Sequence, residues 1–321
     1  MNIRKYLISR IYPLYEKVRE KFRQPVIATD YVFSYRGRNA ANLTLVLAGY
    51  QPFYWDLVFE RLKVNQDQFE EEMDICICIP KGVAGARERI ESYCAQYGWS
   101  SLFISDDLLA QAQNTAISLF PEAKWIYKID EDIVLSERYF NNLKSAYFHA
   151  ERDQFYDVGF IAPLINLNAC CTPVFLQTIG LFDKCKDIFG PYKIVGKDFM
   201  MSNVHRNTSF AQFVWENTMP FDDVAQKIYE RNQGKIEICS IRFSIGAILF
   251  TRDFWERIGK FVVVNVGVMG AEEAQVNNYC QEHMLGIYVA ADTLVGHLGF
   301  GPQKEACKRF YEDNKESIHI K

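Results

Sequence analysis

Residues 124–133 read KWIYKIDEDI, an apolar run that ends in three consecutive carboxylates, Asp130, Glu131 and Asp132. Such a run predicts a buried strand, and charges gathered at its end are costly unless a cation or hydrogen-bond donors neutralise them. In an extended segment the first and third carboxylates point the same way, so both can reach one divalent ion. A solvated acidic turn before the next helix is the alternative.

Three strand-and-helix units precede this run, each with a short apolar segment followed by a longer stretch of helical periodicity. This alternation predicts an α/β fold built from parallel βαβ units, in which ligands bind at the carboxyl ends of the strands. The predicted strands are 42–48, 74–80, 101–105 and 124–129, and the predicted helices are 56–62, 85–97 and 108–119.

The second half of the chain is less regular, with a long segment at 166–240 that is rich in aromatic residues and turns. Around this segment the pattern still predicts isolated strands and helices. The expected strands are 158–165, 242–250 and 286–291, the expected helices are 254–261 and 272–283, and a loop is expected at 264–270.

Composition excludes several classes of protein. The chain has 321 residues, of which 49% are hydrophobic and 24% charged, which is too apolar for disorder. A net charge of −4 gives no global attraction to nucleic acid, and no apolar run is long enough to span a membrane. Nine cysteines without a C-x-x-C pair favour a reducing cytoplasm over a disulfide scaffold or a structural zinc site.

Residues 1–24 predict a basic amphipathic helix, because apolar residues recur every three or four positions beside seven basic and two acidic residues. Such a helix can lie on an anionic membrane, which would make a cytoplasmic protein peripheral on the inner face of the cell membrane. Docking of its apolar face on the rest of the chain is the alternative. Residues 24–40 are expected to form a polar, irregular connector.

No glycine-rich phosphate motif follows any predicted strand, since both G-x-G-x-x-G and G-x-x-x-x-G-K-[ST] are absent. Dinucleotide-binding and P-loop functions are therefore not indicated.

Four motifs, in their order and spacing, resemble the GT-A-fold glycosyltransferases of the family 2 type. The acidic triplet 130–132 is similar to their metal-binding D-x-D motif, and AQNTA at 112–116 resembles their A-x-x-N-x-A/G run. The stretch SIGAILFTRDFWERIG at 244–259 is similar to their small-residue turn, strand and helix, and GAEEAQV at 270–276 resembles their G-E-D-x-D-L helix start. The resemblance covers roughly residues 42–300.

The resemblance implies a Rossmann-like mixed sheet flanked by helices, preceded by the N-terminal amphipathic helix. It implies metal-dependent transfer, with Mn²⁺ or Mg²⁺, of a sugar from a nucleoside-diphosphate donor, expected to be a UDP-sugar. The acceptor would be a hydroxyl of a surface glycan such as lipopolysaccharide, capsule or another lipid-linked chain. The implied division is a helix and connector (1–40), a catalytic domain (41–300) with donor (41–165) and acceptor (166–300) halves, and a charged tail (301–321).

The resemblance also implies roles for individual residues. Asp130, Asp132 and His297, the last expected in a glycine-flanked loop, would hold the metal. Glu273 would be the base that takes the acceptor proton, with inversion at the sugar. Glutamate replaces the family's aspartate here, so the choice between Glu273 and Glu272 stays open, as does retention. Physical chemistry supports the combination of a metal site with a carboxylate base, because a diphosphate leaving group needs a cation and the acceptor hydroxyl needs a base. The residues expected to contact the donor are Ala48, Tyr50, Asp107, Asn114 and Asp130.

Two other functions are compatible with parts of this pattern. A non-catalytic glycan-binding subunit of a polysaccharide synthesis complex would share the fold, although such proteins usually lose the metal-binding acids. A sugar nucleotidyltransferase would require a G-x-G-x-R loop after the first strand, which AGYQ at 48–51 lacks.

Overall fold

A computed structural model describes residues 25–190, 203–264 and 270–319. In these residues ten strands form one mixed sheet, in the order β1-β4-β3-β2-β5-β9-β7-β10-β6, with β8 paired to β10. The strands are β1 (Tyr31–Ser34), β2 (Asn42–Leu47), β3 (Met73–Pro80), β4 (Ser100–Ile104), β5 (Trp125–Asp130), β6 (Ile133–Leu135), β7 (Val158–Ile165), β8 (Ile236–Ile238), β9 (Ala247–Thr251) and β10 (Gly286–His297).

Helices flank the sheet, which confirms the predicted Rossmann-like α/β architecture. In the described part of the chain these are α1 (Trp55–Gln68), α2 (Ala86–Tyr97), α3 (Leu109–Leu119), α4 (Tyr139–Asp153), α5 (Cys171–Thr178), α6 (Phe182–Phe189), α7 (Asn203–Arg206), α8 (Thr208–Glu216), α9 (Phe221–Asn232), α10 (Arg252–Arg257), α11 (Ala271–Glu282) and α12 (Lys304–Ile318). Short 3₁₀ turns at Pro52–Tyr54 and Gly301–Gln303 precede α1 and α12.

The first four predicted strands are confirmed as the parallel block β4-β3-β2-β5. All residues of β2, β3 and β4 are buried, as expected for parallel strands covered on both faces. In this block Leu47 pairs with Cys78 on one side and Asp130 on the other, so three strands end at the same level. The acidic triplet therefore lies at the carboxyl edge, where such sheets bind ligands.

The second half of the chain completes the sheet and returns to the same edge. Strand β9 is antiparallel to β5, β7 is antiparallel to β9, and β10 is parallel to β7. Strand β6, which begins directly after the triplet, is antiparallel to the end of β10, and Ile133 pairs with His297. This pairing places the acidic triplet beside the last residue of β10.

Two predicted strands have different bounds in the structure. Strand β9 begins at Ala247 rather than 242, because residues 242–246 instead contact α11 and Lys128. Strand β10 runs to His297 rather than ending at 291, because it continues past a register shift between Ala290 and Leu294. His297 is thus the end of a strand, and its prediction as a loop residue is wrong.

Two other predictions of local structure are wrong, and one helix was not predicted. The connector at 24–40 contains β1, an edge strand antiparallel to β4 whose partly exposed residues give no clear apolar pattern. The helix expected at 254–261 is Arg252–Arg257, which begins at the Thr251 cap. The charged tail contains helix α12, whose buried side chains are those of Cys307, Tyr311 and Ile318.

The predicted basic helix at 1–24 lies outside the described residues, as do positions 265–269 of the predicted loop at 264–270. Among the residues that the structure describes, no helix has the length and apolar character needed to cross a membrane.

Candidate functional site

Glu131, the central acid of the triplet, is committed to interactions within the protein. Its carboxylate accepts hydrogen bonds from the backbone N–H groups of Gly49 (2.9 Å), Tyr50 (2.9 Å) and Gln51 (3.1 Å) and from the indole of Trp55 (2.6 Å). Four donors fill the acceptor positions of a carboxylate. Glu131 therefore fixes the turn after β2 against the end of β5.

The turns after β2 and β3 touch each other. Gly49 and Gly82 both have positive φ, and a methyl group on Gly49 would lie 3.1 Å from Cα of Gly82, so a side chain would separate the turns. The hydroxyl of Tyr50 lies within hydrogen-bond distance of Asp107 and of the Pro80 carbonyl oxygen (2.8 Å). The predicted donor residues Tyr50 and Asp107 are therefore in contact, at a partly exposed surface.

Asp132 and His297 face each other across the pairing of β6 with β10. Asp132 Oδ2 lies 3.8 Å from His297 Nε2, and both side chains are largely buried. The backbone reinforces this placement, because Leu298 N–H donates to the Asp132 carbonyl oxygen (3.0 Å). At 3.8 Å the two atoms are too far apart for a hydrogen bond but close enough to share a small cation.

The ring of His297 has a fixed orientation. Its Nδ1 lies 3.2 Å from the Leu167 carbonyl oxygen, its backbone N–H donates to Asn166 (2.9 Å), and its carbonyl oxygen accepts from the Trp215 indole (2.9 Å). Because a carbonyl oxygen only accepts, the Nδ1 proton is assigned to this contact. In the neutral ring the Nε2 lone pair then faces Asp132, as in histidines that bind metals.

Asp130 has a different partner. Its Oδ1 accepts from the Lys128 ammonium group (2.7 Å), which also donates to the Ile245 carbonyl oxygen (2.7 Å). Burial raises the pKa of Asp130 from 3.8 to about 6, the charge of Lys128 lowers it, and the charge of Asp132 raises it. Asp130 thus already has a protein cation as its partner, whereas Asp132 does not.

The two acidic clusters of the sequence are connected through Lys128 and Ile245. The Ile245 N–H lies 3.4 Å from Glu273 Oε2, and the Ile245 carbonyl oxygen accepts from Lys128. Asn277 of α11 supports this segment by pairing with both backbone groups of Phe243. Helix α11 therefore holds Glu273 next to the segment that contacts Lys128.

Glu273 is the better placed of the two candidate bases. Its side chain is 19% exposed and forms an ion pair with Arg242 at 2.7 Å. Burial raises the pKa of Glu273, and the positive charges of Arg242 and Lys128 oppose that rise. Glu272 has no hydrogen-bond or ion-pair partner among the residues described. A carboxylate with a raised pKa in a protected position is suited to accept a proton.

The side chains of Asn114 and Ala48 are not placed to contact a nucleotide-sugar donor. Asn114 is fully buried, and its amide donates to the carbonyl oxygens of Val26 (3.2 Å) and Phe261 (2.8 Å) while accepting from the Trp255 indole (3.0 Å) and the Phe261 N–H (2.9 Å). These bonds use its whole capacity, so the structure gives Asn114 a packing role. Ala48 is buried, and its N–H donates to the Cys78 carbonyl oxygen.

Sequence reasoning missed Lys128 as a member of this site, and it missed the contact of Gln51, expected in the donor-binding loop at 48–51, with Asp132. Lys128 could have been found, because a lone lysine in an apolar strand, two residues before Asp130, must share its face. Gln51 donates from Nε2 to Asp132 Oδ2 (2.8 Å), a contact between distant parts of the chain that leaves no mark on local pattern.

Among the residues described, the expected metal would find few protein ligands at this edge of the sheet. No group of three or more His, Cys, Asp or Glu side chains gathers as a metal cage in the described ranges, so Asp130 does not join Asp132 and His297 in one. One carboxylate oxygen and one imidazole nitrogen nevertheless suit Mn²⁺ or Mg²⁺, which commonly retain water and phosphate oxygens as their other ligands. The buried Gln51 Oε1, which has no hydrogen-bond partner within the described ranges, adds an unused polar atom to this region.

Comparison with known proteins gives the following. No protein-family model and no curated protein matches the chain. Among solved structures, a mannosyltransferase, PcManGT from Pyrobaculum calidifontis in complex with GDP-Man and Mn²⁺, is similar with a TM-score of 0.45 and 12% identity, over 89% of this chain and 64% of the other. TarS from S. aureus is similar with a TM-score of 0.29 and 13% identity, over 39% of this chain and 21% of the other. The match thus spans less than two thirds of either neighbour, and at these scores neither adds to what the topology of the chain shows.

Proposed function

We propose that the chain is a metal-dependent glycosyltransferase that moves a sugar from a nucleoside-diphosphate donor to an acceptor hydroxyl. The observation that supports this most is the facing pair Asp132 and His297 at the carboxyl edge of a parallel block of strands. A carboxylate without a cationic side-chain partner in the described chain, beside an imidazole of fixed orientation, suits a divalent cation. The motif resemblance supplies the reaction class, and Mn²⁺ or Mg²⁺ is the metal we assign.

Each side chain receives a role in a single displacement with inversion. Asp132 and His297 would hold the metal, which when bound would neutralise charge on the diphosphate leaving group. The acceptor oxygen bonds to the anomeric carbon as the bond from that carbon to the diphosphate breaks, and Glu273 takes the acceptor proton. Arg242 holds one oxygen of Glu273, and Tyr50, Asp107 and Asp130 contact the donor.

The finer assignments rest on the motif resemblance and on the basic character of segment 1–24. The donor is proposed to be a UDP-sugar and the acceptor a surface glycan, such as lipopolysaccharide, capsule or another lipid-linked chain. We place the protein in the cytoplasm, peripheral on the inner face of the cell membrane, through the basic segment 1–24.

The test is release of the free nucleotide (UDP, GDP, CMP or dTDP) from a panel of UDP-, GDP-, CMP- and dTDP-sugars, each with Mn²⁺, Mg²⁺ or EDTA. We expect metal-dependent release from one donor class, lost in Asp132→Ala and retained in Asp313→Ala, which alters an exposed aspartate on α12. No release from any donor, together with no thermal stabilisation by metal and nucleotide, would contradict the proposal. Stabilisation by metal and nucleotide without turnover would favour a glycan-binding subunit instead.

A further inference from the structure

Gln51 connects the turn after β2 to the proposed metal pair. The residue is 6% exposed, and its Nε2 donates to Asp132 Oδ2 at 2.8 Å. The same carboxylate oxygen is the one that faces His297 Nε2. A change at Gln51 would therefore act directly on the oxygen that the proposed function assigns to the metal.

Hydrogen bonds fix both backbone groups of Gln51, its N–H and its carbonyl oxygen. The Gln51 N–H donates to Glu131 Oε1 (3.1 Å), and the Gln51 carbonyl oxygen accepts from the Tyr54 N–H (3.1 Å). Glu131 in turn sits beside Asp132 in the chain. The glutamine is thus anchored by the neighbour of the carboxylate that it contacts, so its amide has a defined position.

The orientation of the amide follows from chemistry. An ionised carboxylate only accepts hydrogen bonds, so the amide nitrogen must face Asp132. The amide oxygen then points away and is buried without a hydrogen-bond partner in the described chain. A buried polar atom left unpaired costs about 1–3 kcal/mol, and Gln111 has the same unpaired oxygen within the described residues, so the contact with Asp132 is what distinguishes Gln51.

The two outer acids of the triplet differ in the charge of their partners. Asp130 contacts the ammonium group of Lys128 at 2.7 Å, whereas Asp132 contacts the neutral amide of Gln51 at 2.8 Å. A neutral donor orients a carboxylate without cancelling its charge. A cation in the same place would compete with a metal ion.

We propose that Gln51 is a positioning residue of the metal site, which holds the Asp132 carboxylate towards His297 while leaving its charge available to a divalent cation. This inference rests on the proposed function. Hydrogen-bonding partners of metal ligands commonly affect metal affinity by about 10- to 100-fold when they are removed.

The experiment measures Mn²⁺ binding by electron paramagnetic resonance, in the presence of UDP or GDP, for four variants of the full chain. Gln51→Met removes the amide at similar size, and Gln51→Lys keeps an N–H donor but adds charge. Gln111→Met is the matched control, because Gln111 is also buried, donates one hydrogen bond at 2.8 Å to Pro25 and has an Oε1 without a partner in the described chain. Asp132→Asn reports loss of the ligand itself. Urea unfolding without metal is measured for each variant.

We expect Gln51→Met to weaken Mn²⁺ binding by about 10- to 100-fold and Gln51→Lys to weaken it further, with Gln111→Met at the wild-type affinity. Both methionine variants should lose stability, and Gln51→Met should lose the more, because its hydrogen bond goes to a charged carboxylate and that of Gln111 to a neutral carbonyl oxygen. Unchanged Mn²⁺ binding in Gln51→Met, with loss in Asp132→Asn, would overturn the positioning role alone. Wild-type affinity in Gln51→Lys would overturn the requirement for a neutral donor. If Asp132→Asn binds Mn²⁺ like the wild type, the proposed metal site fails and this inference fails with it.

Discussion

Replacing Asn114 by alanine tests whether this residue binds the sugar donor or only packs within the protein. The side chain forms four hydrogen bonds, which join α3 to the segments at Val26 and Phe261 and to the Trp255 indole. Alanine would leave two N–H donors and two carbonyl oxygens without this partner, inside a site that is fully buried. The prediction is a large loss of stability with little effect on donor affinity.

The size of this loss of stability follows from the number and kind of buried groups that are left without a hydrogen-bond partner. Each unpaired buried N–H costs about 1–2 kcal/mol, and each carbonyl oxygen, which has a second lone pair, costs about half of that. The total is about 3–6 kcal/mol, a substantial part of the roughly 5–15 kcal/mol typical of a folded domain. Asn114→Asp should lose at least as much, because it places an oxygen 2.8 Å from the Phe261 carbonyl oxygen.

The assay is urea unfolding followed by far-ultraviolet circular dichroism, together with the donor KM of the folded protein. Asn278→Ala is the control, since Asn278 is exposed on α11 and should change stability by less than about 0.5 kcal/mol. Donor KM in Asn114→Ala should stay within about twofold of the wild type. A stability equal to the wild type, combined with a donor KM raised about tenfold or more, would refute the packing role.

Two further predictions concern the acids. Glu273→Gln should lower kcat by about 10²- to 10⁴-fold while Mn²⁺ binding is unchanged, because only the proton acceptor is lost; a larger effect from Glu272→Gln in initial-rate assays would reverse the assignment. The pKa of Asp130, raised to about 6 in the fold, means that its protonated form stabilises the metal-free protein below about pH 4 and that this stabilisation is lost as pH rises through 6. Thermal unfolding between these pH values should show that decline in the wild type and a weaker one in Asp130→Asn, and equal declines would show that another group is responsible.

The parallel block could be predicted from sequence because its strands are buried on both faces. Met73–Pro80 and Asn42–Leu47 consequently appear as short apolar runs between helical patterns, and their carboxyl ends carry the polar residues of the site. Edge strand β1 and helix α12 were missed for the opposite reason. Tyr31 and Val32 are exposed at the edge, and α12 buries only a narrow stripe beneath many charges.

The partners within the site could not be predicted from local pattern. The contacts of Glu131 with the turn at 49–51, and of Lys128 with Ile245, join segments distant in sequence. A triplet of acids has the same sequence pattern whether its members face a metal, a lysine or backbone N–H groups. The pairing of β6 with β10 is what places Asp132 opposite His297.

The position of β10 between β7 and β6 has a consequence for biosynthesis. The acidic triplet is synthesised long before its partner His297, which ends the last strand of the described sheet. A nascent chain can therefore form the parallel block β4-β3-β2-β5 from local βα units while the ribosome is still making the second half of the chain. The proposed metal pair can form only after β10 has emerged and inserted between two strands already made. Metal binding would then report completion of the sheet, and during synthesis the metal site would be among the last parts of the protein to form.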